Sequence, residues 1–444
     1  MIRTASRSSL LKRCIATQAA PKPQITELSN GLVVATETNP NSASSSVGIV
    51  FGSGSCAENP YNNGVSNVMS HVFETANAAE AAKKGLSLST TVGRDFQSYV
   101  ASTQGSAAQA LEFLQGQLAS GLTDASFAAS KSTILKQVAQ FEEKDHAGRV
   151  LEHLHATAFQ NTPLSLPTRG TVESVEGLEK GDVEAFAQNQ FLSSNAVIVG
   201  SGNIAHEDLL KAVESHVSLK SGEKPVPKKK STFLGSEIRL RDDTLPKAWI
   251  SIAAEGEKVT SPQYYVAKVA AEVFGSFTAS EPASRLQGIK LLDQIQDYHL
   301  CETFDHYSLS YKDSGLWGFS TVISNIDQVD DMIHFTLKQW NRLSISVTEQ
   351  EVARGKAMLK LKLASGALDN ASIATKLGAQ TLALGAKPAL TEVFAKIDAI
   401  SVKDIKKWAS NKLWDQDIAI CGTGQIEGLL DYMRIRNDMS MMRW

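Results

Sequence analysis

Cysteine is scarce in this chain, whose 444 residues include only Cys14, Cys56, Cys301 and Cys421. These four are widely separated and lack metal-site spacing, so neither a disulfide framework nor a cysteine zinc centre is expected. No run of about 18 apolar residues occurs, so the sequence predicts no membrane-spanning helix. The 44 basic and 47 acidic residues give a net charge of −3, which argues against a nucleic-acid-binding protein.

Acidic residues are also missing from the first segment, residues 1–26, and Glu27 is the first acid of the chain. Its basic residues are Arg3, Arg7, Lys12, Arg13 and Lys22. The segment can form a helix with an apolar face and a basic face, which predicts a mitochondrial transit peptide. A disordered basic tail is the alternative. Cleavage after Arg13 would remove four positive charges and change the net charge from −3 to −7.

The chain repeats itself at an offset of 222 residues. Residues 182–204 read DVEAFAQNQFLSSNAVIVGSGNI, and residues 404–426 read DIKKWASNKLWDQDIAICGTGQI. Each copy predicts a short helix, a β-branched strand and a Gly-x-Gly turn. Neither turn has the third glycine of a dinucleotide-binding fingerprint, so nucleotide binding is not expected.

A weaker match joins the strand-like segments 28–40 and 234–246 near the start of each half. Residues 221–230 lie between the halves and have the proline and lysine content of a surface linker. The sequence therefore predicts two related α+β domains, residues 27–220 and 231–444.

An amphipathic helix is predicted within residues 59–85, after a strand in residues 44–55. Its apolar stripe is Val65, Val68, Met69, Val72 and Phe73. Asn67, Ser70 and His71 flank the stripe at the spacing of the inverted zinc motif His-x-x-Glu-His. An amide and a hydroxyl there replace an imidazole ligand and a general base. Because a catalytic zinc site needs three protein ligands, none is expected, and the remaining histidines are interpreted as structural.

Several strings, among them NNGVSNVMSH (62–71), RVLEHLHATAFQNTPLSLPTRGT (149–171) and SYKDSGLWGFST (310–321), resemble the pitrilysin-type peptidase family. That family contains mitochondrial processing peptidase and the core proteins of the cytochrome b–c complex, respiratory complex III. The resemblance extends over the chain after the presequence and is strongest to the core proteins. It implies an α+β fold of two similar domains. Each would be a mixed or antiparallel sheet with helices mainly on one face, and the two would face each other around a cavity.

The resemblance also implies which site positions have degenerated. The catalytic subunit of the peptidase carries the full inverted motif, whose first His falls on Asn67, its Glu on Ser70 and its second His on His71. Of these three positions, only His71 keeps the residue type of the motif. The resemblance therefore implies no catalytic residue and no metal site.

Two further positions are placed by the same resemblance. The third ligand of the peptidase, a Glu, falls on Gln137 or between it and Gln140, with Glu142 and Glu143 close by. A basic pair that helps to hold substrate falls in residues 384–388, where Lys387 alone is basic. Both replacements agree with a chain that keeps the fold of the peptidase but has lost its catalytic activity.

As a core protein, the chain would be a non-catalytic scaffold that holds no cofactor and supports assembly and stability of ubiquinol–cytochrome c reductase. The implied partners are core protein 2, cytochrome b, cytochrome c1, the iron–sulfur protein and small subunits, in a dimeric complex. The chain would be peripheral on the matrix side of the mitochondrial inner membrane, with no membrane span and no nucleic acid. One alternative is a subunit of an active presequence-processing metallopeptidase, which needs bound zinc. Another is a regulatory partner of such a peptidase, which should carry a long glycine-rich loop that no segment here matches.

Overall fold

The computed structural model describes residues 22–119, 123–225, 229–281, 287–366 and 369–440. Within these ranges the chain forms two six-stranded sheets and fifteen α-helices. Most of the expected transit peptide lies outside them, and its last residues belong to the first strand. Among the described residues, none of the helices combines the length and apolarity that crossing a bilayer requires.

The first sheet uses strands from residues 24–202 only. They are β1 (Gln24–Glu27), β2 (Val33–Thr38), β3 (Ser45–Phe51), β4 (Ser87–Val92), β5 (Gln97–Thr103) and β6 (Ala196–Gly202). Their order is β1-β2-β6-β3-β5-β4, and β2 and β6 are parallel while the other pairs are antiparallel. The helices of this half are α1 (Val65–Lys83), α2 (Ala107–Ala119), α3 (Asp124–Lys144), α4 (His146–Ala158), α5 (Val172–Gly177), α6 (Lys180–Gln190) and α7 (His206–His216).

The second sheet uses strands from residues 236–424. They are β7 (Ser236–Arg241), β8 (Ala248–Glu255), β9 (Ser276–Thr278), β10 (Thr303–Ser310), β11 (Gly315–Ile323) and β12 (Ile418–Gly424). Their order is β7-β12-β8-β11-β10-β9, and only β7 and β12 are parallel. The helices are α8 (Tyr264–Glu272), α9 (Lys290–Tyr298), α10 (Val329–Ile345), α11 (Glu349–Ser365), α12 (Asn370–Leu384), α13 (Leu390–Ala399), α14 (Val402–Lys412) and α15 (Tyr432–Asn437).

The two sheets share one topology, which confirms the α+β fold of two related halves. Strands β2, β6, β3, β5 and β4 of the first sheet occupy the places of β7, β12, β8, β11 and β10 in the second. The 222-residue repeat corresponds to α6 with β6 and to α14 with β12. Gly202 and Gly424 end these strands at φ values of +99° and +86°, and a Cβ on either would lie within 2.4 Å of a carbonyl oxygen. The repeated Gly-x-Gly is therefore a tight turn beside a neighbouring strand.

The central strands of each sheet are buried on both faces, but against different helices. Alternate side chains of β8, such as Ile250 and Ile252, pack on the helices of their own half. Ala253, on the opposite face, packs with Val150 and Leu154 of α4, a helix of the first half.

The first sheet is covered in the reciprocal way. Val50 and Val199 on its second face pack with Ala374 and Leu377 of α12, a helix of the second half. A Cβ on Gly378 of α12 would lie 2.4 Å from the Val50 side chain, so glycine there lets the helix approach closely. Each half therefore contributes one helix to the other, an exchange that the sequence did not predict.

Helix α1 begins without a side-chain cap of its own. The buried Glu58 takes that role from the preceding loop, because its carboxylate accepts from the backbone N–H groups of Gly64 and Ser66 and from the Asn63 amide, each at 2.8 Å. These contacts satisfy N–H groups that a helix leaves unpaired at its start. The predicted stripe from Val65 to Phe73 is buried, which confirms the amphipathic helix and fixes which face it turns outward.

Candidate functional site

A polar pocket of about 320 Å³ lies where α1, β4 and α3 meet. Its lining includes all four positions that the sequence marks as degenerate, Asn67, Ser70, His71 and Gln137. Gln137 projects from α3, so the fold brings together residues that are far apart in the chain. Gln140, Glu142 and Glu143 are not among the residues that line it.

The first two degenerate side chains are engaged in hydrogen bonds of the fold. Asn67 Nδ2 donates to the Arg169 carbonyl at 3.2 Å. Ser70 is 3% exposed, and its hydroxyl donates to Tyr99 at 3.4 Å, a long hydrogen bond. Tyr99 in turn donates to Gln97 Oε1 at 3.2 Å, and the Gln97 amide donates to Ser53 at 3.0 Å. Burial raises the pKa of Tyr99, so the phenol stays protonated and this chain of hydrogen bonds is a neutral one.

The polar groups of α1 that remain in the pocket are one imidazole and one carboxylate. His71 Nδ1 is buried and has no hydrogen-bond partner among the described residues. Glu74 also lines the pocket and accepts from Thr90 Oγ1 at 2.8 Å. Glu74 was missed at the level of sequence, although its position three residues after His71 puts both on one helical face.

This donor set does not suit catalytic zinc. Among the described residues, no group of three or more His, Cys, Asp or Glu side chains is placed to hold a metal ion. His71 and Glu74 supply two ligands of the required types, whereas Asn67 and Gln137 offer neutral amide oxygens that bind zinc weakly. Ser70 cannot take a proton from a bound water near neutral pH. The geometry can hold polar groups by hydrogen bonds, but it does not assemble the parts that peptide hydrolysis requires.

Lys387, the remaining basic residue of the expected substrate position, is not part of this pocket. It lies between α12 and α13 and forms an ion pair with Glu37 of β2. Its charge therefore has a partner within the chain, at the point where the exchanged helix meets the first sheet.

Two further histidines, His155 and His306, are buried in the described part of the chain, and both are engaged in hydrogen bonds. His155 bonds the Leu151 carbonyl and Tyr311, each at 2.7 Å. His306 accepts from the Trp340 indole at 3.1 Å. Burial lowers the pKa of both imidazoles well below the usual range, so both are neutral at physiological pH.

Comparison with protein families gives two matches along the chain. Residues 33–172 match the family described as Insulinase (Peptidase family M16), and residues 177–359 match the Peptidase M16 inactive domain. The second match spans the end of the first half, the linker and much of the second half.

Individual proteins match over the whole length. Cytochrome b-c1 complex subunit 1, mitochondrial, of Saccharomyces cerevisiae is 62% identical over 459 aligned residues, which cover 100% of both chains. Mitochondrial-processing peptidase subunit beta of Lentinula edodes is 34% identical and covers 100% of this chain and 99% of its own.

A solved structure agrees with these relatives. A chain of Complex III2 from Candida albicans, solved with Inz-5 bound, superposes with a TM-score of 0.89 at 41% identity, covering 94% of this chain and 100% of that one. The chain therefore belongs to the M16 (insulinase) peptidase family, in the group that contains cytochrome b–c1 complex subunit 1 and the beta subunits of mitochondrial processing peptidase.

Proposed function

We propose that this chain is a non-catalytic core subunit of the mitochondrial ubiquinol–cytochrome c reductase complex, needed for its assembly and stability. The observation that carries the proposal is the 62% identity over full length to subunit 1 of the cytochrome b–c1 complex. The TM-score of 0.89 to a chain of Complex III2 agrees with the same proposal.

The pocket on α1 supports the absence of peptidase activity. Hydrolysis by this family needs a metal held by three side chains and a carboxylate that takes a proton from the bound water. Asn67, Ser70 and Gln137 remove two ligands and the base from the pocket, and His71 remains. We accordingly infer that Asn67, Ser70, His71 and Gln137 are degenerate site positions with no catalytic role.

The proposed partners are those of the complex: core protein 2, cytochrome b, cytochrome c1, the iron–sulfur protein and the small subunits, in a dimeric assembly. The chain would hold no haem, iron–sulfur cluster, quinone or metal. Its place would be peripheral, on the matrix side of the inner membrane. The segment 1–26 is proposed to contain a mitochondrial transit peptide that is cleaved before β1, since Gln24–Glu27 pair with β2.

We also propose two structural domains, residues 27–220 and 231–444, joined by the linker 221–230. Two observations support this division: all strands of the second sheet lie in 231–444, and those of the first sheet lie in 27–220 apart from β1, which begins at Gln24. The exchanged helices α4 and α12 cross that division, so the two units share their cores.

A subunit of an active processing peptidase is the second candidate, because the Lentinula edodes beta subunit aligns over the full chain at 34% identity. The two candidates differ in metal content. We expect the native chain to hold no stoichiometric zinc, and the triple variant N67H/S70E/Q137E to gain it, since it restores the ligand and base types in the pocket. One zinc per native chain with chelator-sensitive peptide cleavage would favour the peptidase.

The assembly itself is tested by native electrophoresis of detergent-solubilised mitochondrial membranes. The chain should migrate with cytochrome c1 and the iron–sulfur protein, and its deletion should lower the amount of assembled complex. The variant His71→Ala is the matched control, because loss of a non-catalytic imidazole should leave the assembly unchanged. Migration of the chain apart from the complex would contradict the proposal.

A further inference from the structure

Lys268 of α8 is a part-buried lysine to which neither the pocket on α1 nor the proposed function gives a role. Its side chain reaches from α8 to β10, where Nζ donates to the Ser308 carbonyl at 3.1 Å in a partly buried hydrogen bond. The centre of the Tyr264 ring, one helical turn earlier, lies 4.8 Å from Nζ. Among the residues that the structure describes, no carboxylate forms an ion pair with Lys268. The ammonium group is therefore held by one carbonyl and one aromatic ring.

The carboxylate nearest to Lys268 along α8 is already engaged. Glu272 lies one turn further on, at a spacing that puts both residues on one face of the helix. Its Oε1, however, forms an ion pair with Lys362 of α11 at 2.8 Å. Lys268 is thus a second ammonium group beside a pair whose charges already balance.

These surroundings favour the neutral amine of Lys268. Burial lowers its pKa to about 8, Glu272 opposes this decrease, and the positive charge of Lys362 adds to it. A desolvated lysine beside another cation is a typical environment for a nucleophilic amine. At pH 8 about half of such side chains are neutral, against less than about 1% of lysines with an ordinary pKa near 10.4.

The gain in neutral amine exceeds the loss in nucleophilic strength. A less basic nucleophile reacts more slowly, by roughly 0.4–0.5 log units per pKa unit on the dependence that thiols show. Over the decrease in pKa at Lys268 this amounts to about tenfold, whereas the neutral fraction rises about a hundredfold. Lys268 should therefore be about tenfold more reactive at pH 8 than an ordinary lysine.

The edge of β10 leaves a path to this amine. Strand β9 pairs with β10 only between Thr303 and Asp305, so within the described ranges no strand covers the outer edge of β10 at Ser308. Lys268 itself keeps partial exposure to solvent. Since no ion pair anchors it, the amine can leave the Ser308 carbonyl at the cost of one hydrogen bond and one ring contact.

We propose that Lys268 is a modification site, acylated on Nζ by small acyl thioesters of the acetyl-coenzyme A class. The neutral amine attacks the thioester carbonyl, a C–N bond forms, the C–S bond breaks, and the thiol leaves with the proton that the amine loses. The product is a neutral amide whose remaining N–H can still donate to the Ser308 carbonyl. This chemistry belongs to the second half of the chain and does not depend on the proposed function.

The test is a competition among the lysines of the full chain as isolated, with whatever subunits co-purify, treated with acetyl-coenzyme A at pH 8. After denaturation the remaining amines are labelled with deuterated acetic anhydride, and peptide mass spectrometry gives the acylated fraction at each lysine. Lys338 of α10 and Lys407 of α14 are the internal controls, because both are exposed. Lys268 should react about tenfold faster than either.

The pH profile distinguishes an activated amine from one that is merely accessible. The rate at Lys268 should level off above about pH 8, while the rate at Lys338 should rise about tenfold per pH unit up to about pH 9.5. Lys362→Gln should slow acylation of Lys268 at least threefold near neutral pH, because it removes a cation and frees Glu272 to pair with Lys268. Lys360→Gln, on the same helix but paired with Asp398, is the matched control and should leave the rate unchanged.

Denaturation in concentrated urea should abolish the preference for Lys268, because the preference arises from the fold. Three results would each overturn the proposal: equal acylation of Lys268 and the two exposed lysines at pH 8, a Lys268 rate that rises in parallel with theirs up to about pH 9.5, or a preference that persists in urea. None of these measurements requires a variant to fold, since the wild-type chain supplies its own controls.

Discussion

Replacement of Tyr311 by Phe should weaken the contact between the two halves by about 2 kcal/mol. Tyr311 lies in the turn after β10 and bonds His155 of α4, whose other ring nitrogen meets the Leu151 carbonyl. A carbonyl only accepts, so Nδ1 of His155 carries the proton and Nε2 accepts from the Tyr311 hydroxyl. Burial raises the pKa of Tyr311 to about 12, which keeps that hydroxyl protonated. The positive charge of Arg94, in the turn between β4 and β5, acts on that pKa in the opposite direction.

The size of this loss in stability follows from the interactions that His155 and Arg94 keep in the variant. In Tyr311→Phe, the Nε2 of His155 becomes an unsatisfied acceptor in a side chain that is 2% exposed, a loss of roughly 1–3 kcal/mol. Arg94 loses little, because it keeps its 2.6 Å ion pair with Glu152 and its bond to the Leu166 carbonyl. The net effect is therefore set by the histidine.

Native-state hydrogen exchange of the α4 amides is the assay, because it reports local opening without requiring two-state unfolding of an assembly. A loss of about 2 kcal/mol corresponds to exchange about 30-fold faster. Tyr61→Phe is the control, since Tyr61 is 91% exposed and its hydroxyl is hydrated in both states. The double variant Tyr311→Phe/His155→Phe should recover part of the loss, since neither polar partner is then left alone. Exchange of α4 in Tyr311→Phe within threefold of wild type would refute the reasoning.

Three further predictions concern buried polar groups. Glu58→Ala should cost at least about 2 kcal/mol in chemical denaturation, because two N–H groups at the start of α1 lose their acceptor; an unchanged midpoint would contradict this. His306 stays neutral in the fold while the unfolded imidazole protonates below about pH 6.5, so stability is lost as the pH falls through that value. His306→Gln should flatten this dependence by up to about 1.4 kcal/mol per pH unit, measured by urea unfolding at neutral and mildly acidic pH, and an unaltered slope would exclude His306 as its source. Burial lowers the pKa of Lys268 to about 8, so the wild type should gain stability from that pH upward. Lys268→Met should lack that gain and be more stable than wild type at neutral pH by roughly 1–3 kcal/mol, and a less stable variant would show that the charge is well paired.

The local elements were predictable because their patterns are periodic. The stripe from Val65 to Phe73 identified α1 and its buried face, and the 222-residue offset identified a matching helix and strand near the end of each half. The placement of Asn67, Ser70 and His71 on one face followed from the same spacing. Gln137, from α3, lines the same pocket as these three residues.

The long-range pairings could not be predicted in the same way. The apolar stripe of α4 shows that Val150 and Leu154 are buried, but it does not identify the sheet that buries them. The usual capping patterns do not predict the cap by Glu58, because it comes from a loop residue and not from the position next to the helix. Glu74 could have been found from its spacing to His71, whereas the partners of Arg94 and Tyr311 depend on how two separate turns meet.

The helix exchange sets an order of events for folding. The second face of the first sheet is complete when Gly202 has emerged, yet α12, which covers it, ends at Leu384, 182 residues later. Until α12 is in place, Val50, Val199 and their neighbours are an uncovered apolar face on the N-terminal half. Truncation before α12 therefore converts a core surface into an aggregation surface.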